Sequence, residues 1–456
     1  MKQQEKMQQQ EKMQQQQFQR MTTEPVGKLL LVLSVPTVIS MMVTNIYNLA
    51  DTAFVGSLGT SQSGATGIVF GFMAILQAVA FMCGQGAGSV MSRRLGEKKL
   101  EEACEYASTG FFLSLFLGLL IAVGSFAFLT PLLYLLGSTA TIEPYARTYI
   151  SYILLATPCF TASLTMNNLL RYEGKAKLGT AGLMTGAVLN IGLDIVLMFG
   201  FRLGIAGAGI ATAVSQVISF LILLSMFLRG KTQTKIAISY VEPHLLGTII
   251  ATGFPSLLRQ GLNSVATMLL NRTSGVYGDE AVAAMSIVSR VSFFAMAVAI
   301  GIGQGFQPIS SFNYGAGKKE RVRKAFWTAF FASECVLLFL SGPIYAFAEN
   351  LVRLFRDDPQ VILYGVRALR LMCIGQLFVP LSMMVEMGFQ STGQSALASF
   401  SSSLRSGLLF IPMLLLLAAW RGMAGVQEAQ PVTFVLTFVV SIFLCRIFMR
   451  KCLSET

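Results

Sequence analysis

Charged side chains are what this sequence has least of. They make up 12% of its 456 residues, about half the share found in an ordinary soluble domain. Histidine occurs once, as His244, and the seven cysteines are scattered, with Cys83, Cys159, Cys335, Cys373 and Cys445 inside apolar runs. These scarcities argue against a zinc site, a histidine proton relay and a disulfide framework. No Walker motif, nucleophile elbow or zincin helix occurs, so ATPase and hydrolase chemistry have no support, and the expectation is a protein that is not an enzyme and carries no cofactor.

Apolar sequence fills the space that charge leaves, at 54% of the chain. Hydropathy resolves twelve spans, near residues 29–55, 64–90, 107–136, 148–170, 177–201, 204–228, 246–270, 281–311, 325–347, 364–389, 395–420 and 430–449. Each is long enough to cross a bilayer. Backbone exposed to lipid must satisfy its own hydrogen bonds, so the predicted fold is an all-α integral membrane protein. The net charge of +12 would suggest nucleic acid in a soluble protein. Here its distribution is the better guide. With the N-terminus inside, 23 of the 34 Lys and Arg fall on the cytoplasmic side, while the opposite loops hold only Arg147, Arg202, Arg272, Arg353, Arg356 and Arg421. The positive-inside rule therefore predicts two cytoplasmic termini in a multi-pass plasma membrane protein, and topology alone accounts for the basic excess without a nucleic-acid partner.

Residues 1–21 repeat Glu-Lys-Met-Gln-Gln-Gln and are polar throughout, which predicts a Gln-rich tail that is disordered or a frayed helix. Beyond it the sequence is duplicated. Sliding residues 36–102 by the 219 positions that separate Pro36 from Pro255 superimposes Gly56 on Gly275, Gly59 on Gly278 and Ala65 on Ala284. The same shift aligns Gly84-Gln85-Gly86 with Gly303-Gln304-Gly305, Ser92 with Ser311, Gly96 with Gly315, Lys99 with Lys318, Glu101 with Glu320 and Gly174 with Gly393. Glycines and prolines do not keep register by chance over such a distance, so each half holds six spans. An even number of crossings returns the chain to its starting side, giving two six-helix bundles related by a pseudo-two-fold axis along the membrane normal. The expected division is an N-lobe over 22–228, a cytoplasmic linker over 229–243, a C-lobe over 244–450 and a short tail over 451–456. Such bundles leave a cleft where transporters bind substrate. The 23 Met and 34 Phe would suit a broad apolar wall, although most must face lipid or helix cores.

Polar residues stand out against this background. Asn190 and Asp194 lie in the apolar run from Leu178 to Phe201, four residues apart and so on one helix face. A carboxylate at the centre of a membrane helix costs about 2.5 to 3.5 kcal/mol on insertion scales, so it is seldom kept without a use. The pair either holds a proton or cation or fastens one helix to another. Asn45, Asn48 and Asp51 form a second polar stripe on the first span, below Pro36, whose ring should bend that helix and free a carbonyl, or simply kink it for packing. The halves differ at these positions: shifting Asp51, Asn190 and Asp194 by the repeat gives Leu270, Leu409 and Met413. With Thr212 of the sixth span, two carboxylates, an amide and a hydroxyl make an oxygen-rich set suited to a proton or a small hard cation. In the C-terminal half, Glu334, Glu386, Arg259, Arg290 and Arg405 lie within spans and are expected to pair with one another or reach an interface. Glu386 or Glu334 as a counter-ion for substrate is the alternative.

The duplicated six-span half, Pro36 with Asp51 before Gly56 and Gly59, the Gly84-Gln85-Gly86 and Leu95-Gly96 pair, its echo Tyr314-Gly315-Ala316-Gly317, and the stretch Gly204 to Thr212 together resemble the multidrug and toxic compound extrusion (MATE) family over residues 22–450. The resemblance implies an antiporter that exchanges H⁺ or Na⁺ for cationic amphipathic drugs or metabolites by alternating access. It implies cation coupling at Asp51, Asn190, Asp194 and Thr212, with Pro36 as a hinge. The family's C-lobe acidic pair has no clear counterpart, since Asn263 and the apolar Val379 and Pro380 stand near those positions. Asn45, Asn48, Asn263 and Glu386 are the candidates for the substrate cleft. The expected partners are small cationic molecules and membrane lipid, and a monomer is expected because two lobes already contain a complete cleft. A flippase of the same superfamily, moving a lipid-linked precursor, is the nearest rival; a channel or a membrane scaffold is a rival of another class.

Overall fold

The computed structural model describes residues 2–452, with side chains described for 11–47, 50–59 and 61–452. Helix α1 (Lys2–Thr23) is followed by α2 (Val26–Gly56), α3 (Thr60–Gly96), α4 (Leu100–Ala127), α5 (Leu129–Leu135), α6 (Glu143–Tyr172), α7 (Ala176–Asp194) and α8 (Ile205–Leu228). Then come α9 (Leu246–Gly275), α10 (Asp279–Gly315), α11 (Lys319–Ala346), α12 (Ala348–Phe355), α13 (Pro359–Gly375), α14 (Val379–Ser391), α15 (Ser395–Ser403), α16 (Phe410–Arg421) and α17 (Met423–Ile447). No strand occurs among the described residues. The duplication is visible in the elements themselves: α3 and α10 have 37 residues each, α4 and α11 have 28 each, and both pairs keep the sequence offset. Gly174 and Gly393, equivalent under the repeat, follow α6 and α14 with φ of 83° and 86°, a left-handed turn that favours glycine.

Eleven helices among the described residues are long and apolar enough to cross a membrane. The exception is α9, expected as the seventh span, which has the length at 30 residues but carries Arg259, Gln260, Asn263, Asn271 and Arg272. The tenth span is broken by a 3₁₀ turn over Gln376–Phe378, just before Pro380. In the eleventh, a π-helical turn over Leu404–Leu408 interrupts the run between α15 and α16.

The chain forms two compact units. One contains the chain up to Thr23 together with Ile39–Leu257, the other Glu24–Val38 with everything from Leu258 onward. The change of unit therefore falls inside two helices, α2 after Val38 and α9 after Leu257, each two residues beyond one of the repeated prolines, Pro36 and Pro255. This differs from a division within 229–243, because the first turns of each of these helices pack on the other repeat's partners. The Gly-Gln-Gly motifs supply the seats. In the first unit a Cβ on Gly86 would collide with the Ile249 carbonyl oxygen and lie 3.0 Å from the Gly253 nitrogen, while the Ser256 hydroxyl donates to Gln85 Oε1 at 2.6 Å. In the second unit a Cβ on Gly305 would collide with Ser34, lying 2.9 Å from its backbone nitrogen. Small residues let helix backbones touch, which is the main source of helix adhesion where lipid is as apolar as leucine.

The first unit's core gathers Val55, Val69, Phe72, Leu76, Ile150 and Ile153. The second's gathers Leu270, Val288, Leu369, Met372, Phe410 and Leu414.

The N-terminal segment is a helix over Lys2–Thr23, the second of the two forms its polar repeat left open. Its tail end is anchored by specific contacts within the first unit. Met21 is fully buried, Gln17 Nε2 donates to the Glu173 carbonyl at 2.6 Å, and Lys98 lies 4.7 Å from the centre of the Phe18 ring. The buried Glu173 carboxylate also gathers the connection after α8, accepting from the Gln233 backbone N–H at 2.5 Å, from the Thr234 hydroxyl at 2.9 Å and from Lys175 Nζ at 2.9 Å. A hydrogen bond to a charged group contributes about 1.5 to 3 kcal/mol. Glu173→Ala is therefore expected to release the connection and speed tryptic cleavage at Lys231 and Lys235 at least tenfold; an unchanged cleavage rate would show that Glu173 does not hold it.

Candidate functional site

The polar residues of the N-terminal half meet inside the first unit. Asp51 comes from the last turns of α2, Asn190 and Asp194 from the end of α7, and Thr212 from α8. All four are buried, with relative exposures of 2%, 3%, 0% and 4%. Glycines let α7 and its continuation approach α8 this closely. A Cβ at Gly186, one turn before Asn190, would lie 3.1 Å from the Ser215 carbonyl oxygen, and one at Gly207 would lie 2.8 Å from the Leu197 carbonyl carbon. Asp194 is the last α-helical residue before a π-helical turn over Ile195–Gly200. Such turns shift the register of the side chains that follow and recur at functional sites.

Hydrogen bonds organise the cluster. The Asn190 amide Nδ2 donates to Thr212 Oγ1 at 3.3 Å, and the Tyr149 hydroxyl donates to Asp51 Oδ2 at 2.8 Å. Tyr149, from α6, is fully buried and its hydroxyl also meets that of Thr212. The carboxylates of Asp51 and Asp194 lie close enough to act on each other electrostatically, and both act on Tyr47. Among the described residues, four buried oxygens have no hydrogen-bond partner: Asp51 Oδ1, Asn190 Oδ1 and both oxygens of Asp194.

Those oxygens define what the site can do. All are acceptors, so a proton or a cation satisfies them and an anion does not. A buried carboxylate without a donor or counter-charge is expensive. The donor set is hard oxygen, with no sulfur or imidazole, which suits an alkali cation or a proton better than a transition metal. Among the described residues no group of three or more His, Cys, Asp or Glu is gathered in a way that would hold a metal ion.

The remaining predicted residues do not join this cluster. Pro36 lies inside α2, just before that helix changes unit. Asn45 is half-buried on α2, and the side chain of Asn48 lies outside the described residues. In the second unit Asn263 is exposed on α9. Glu386 is buried in α14, and its Oε1 accepts from Arg259 Nη1 at 2.6 Å. A carboxylate at 2% exposure is costly without a partner, and the acid–base pairing expected of this half supplies one here. Tyr47 and Tyr149 were not singled out from the sequence. The only signal was a tyrosine hydroxyl within an apolar span, a group that needs a partner once buried.

Two kinds of likeness bear on this arrangement. The signature of the MatE family matches residues 36–196 and 255–416, one stretch in each repeat. The multidrug export protein MepA of Staphylococcus saprophyticus is 26% identical over 401 residues, covering 86% of this chain and 87% of that one. MepA of Staphylococcus aureus is 25% identical over 405 residues, covering 88% and 89%. An outward-facing multidrug resistance MATE family transporter of the MOP superfamily shares the fold, with a TM-score of 0.90 at 24% identity over 95% of this chain and 98% of that one.

Proposed function

The chain belongs to the MatE family of membrane transporters, and from that premise we propose that it exports cationic amphipathic drugs or metabolites across the plasma membrane in exchange for H⁺ or Na⁺. The observation that carries the coupling half of this reading is the set of four buried acceptor oxygens on Asp51, Asn190 and Asp194, which lack a hydrogen-bond partner among the described residues. The export half draws on the multidrug export relatives.

Each residue has a distinct part in the proposed cycle. Asp51 and Asp194 take up the proton or cation, Asn190 adds a neutral oxygen, and Thr212 orients the Asn190 amide so that its oxygen faces the ion. Tyr149 holds one oxygen of Asp51 and leaves the other free. Occupancy neutralises the carboxylates and changes how α2 runs beyond Pro36, where a missing backbone hydrogen bond makes bending cheap. Antiport needs only that ion and substrate favour opposite conformations, so that each lowers the affinity for the other by the same factor. The two repeats act as the lobes of an alternating-access monomer, with both chain termini on the cytoplasmic side.

The test is efflux of a fluorescent cationic dye from proteoliposomes with Na⁺ and pH gradients imposed separately. Transport driven by one gradient is expected, and the effective gradient identifies the ion. Dye movement that ignores both gradients would contradict antiport and favour a lipid-linked precursor flippase.

A further inference from the structure

The second unit carries an intramembrane charge imbalance of the opposite sign. Glu386 on α14 is bonded through Oε1 to Arg259 on α9, and both side chains are buried. A second guanidinium, Arg405, senses the charges of both partners. Arg405 sits in the π-helical turn over Leu404–Leu408, and this turn is pressed onto α9: a Cβ at Gly407 would lie 2.9 Å from Leu262 Cδ1, one turn beyond Arg259. One turn before Arg405, the buried Ser401 hydroxyl has no hydrogen-bond partner among the described residues. One carboxylate therefore lies within electrostatic reach of two guanidiniums, only one of which it is shown to bond. Glu428, elsewhere in this unit, is already held by Arg367 at 2.6 Å and Arg421 at 2.5 Å.

Arginine does not shed its proton in proteins, so this imbalance cannot be relieved by titration of the guanidiniums. Ionisable groups within a membrane span are kept for a partner or a ligand. A planar guanidinium is matched by a planar or tetrahedral oxyanion that accepts two parallel hydrogen bonds. We propose that Arg405, beside the Arg259–Glu386 pair and the Ser401 hydroxyl, binds one monovalent oxyanion carried on an apolar body. The carboxylate of an amphipathic acid or zwitterion has this chemistry, and so does the phosphate of an anionic lipid. The site is separate from the acceptor-only cluster in the first unit and selects the opposite charge.

The test is thermal stabilisation of the purified full chain in maltoside micelles by decanoate, with decyltrimethylammonium as the tail-matched cation. Decanoate is expected to raise the Tm of the wild type at concentrations where decyltrimethylammonium does not do so through this site. R405Q should weaken the apparent decanoate affinity at least tenfold without changing the response to the cation. R405K keeps the charge but loses the fork, and should weaken it several-fold; it serves as the second variant if R405Q does not fold. E386Q removes the competing carboxylate and should tighten decanoate binding. Adding phosphatidylglycerol separates the sources: loss of the decanoate shift identifies the lipid phosphate as the preferred occupant, and its persistence identifies a soluble acid. An R405Q protein that keeps the full decanoate response, or an E386Q protein that loses it, would overturn the proposal. No gradient or transport enters this measurement, so its failure would leave the proposed antiport standing.

Discussion

Asp194→Asn is expected to abolish gradient-driven dye efflux while leaving the fold and dye binding intact. The substitution keeps shape and one acceptor oxygen but removes the charge that calls for a counter-ion. Allosteric coupling between two ligands is typically about 1 to 3 kcal/mol, or about 5- to 150-fold in affinity. Losing it removes the linkage between ion and substrate and brings concentrative transport to background. Stability should hold or rise, because a buried charge without a partner is replaced by a neutral amide. Dye binding measured with and without Na⁺ and across pH gives the second readout. Retained coupling in Asp194→Asn would place the ion elsewhere.

The other large effect belongs to the helix seats. Gly86→Val and Gly305→Val are each expected to destabilise the protein by about 3 kcal/mol or more, since overpacking of a fitted contact usually costs 1 to 3 and here the obstacle includes backbone. The first would push α9 off α3 at Ile249 and Gly253, and the second would push α2 off α10 at Ser34. Gly71→Ala in α3 is the control: nothing lies within 4 Å of its added Cβ, and the change should stay within about 0.5 kcal/mol. Folded yield and Tm in detergent read the outcome. Equal behaviour of all three variants would show that the repeated motif is not a packing device.

These expectations rest on residues that differ in how plainly the sequence displayed them. The duplication was legible because glycines and prolines kept one offset through both halves, and α3 and α10 begin and end on that offset. Asp51, Asn190 and Asp194 were legible because a carboxylate or amide is conspicuous in an apolar run. That they lie in one buried cluster required the structure. Tyr149 was hidden: it is 98 positions from Asp51, with no periodicity to link them. The exchange of helix halves at Val38 and Leu257 was hidden for a related reason, since the motif glycines announce close contact without naming the helix that arrives. Glu386 and Arg259, 127 positions apart, were each visible as charges in spans, and only the fold shows them joined. The N-terminal segment, polar throughout, left a disordered tail and a helix equally open. Its order comes from tertiary contacts of Gln17 and Met21 that local sequence cannot display.

The most direct measurement of the central claim is cation release on dye binding by the purified protein, followed with a pH indicator in weak buffer and, separately, with radioactive Na⁺. Dye is expected to expel protons or bound Na⁺ from the wild type, and Asp51→Asn and Asp194→Asn are expected to bind dye without expelling either. Dye binding that releases neither ion from the wild type, or releases the same amount from both variants, would contradict that claim.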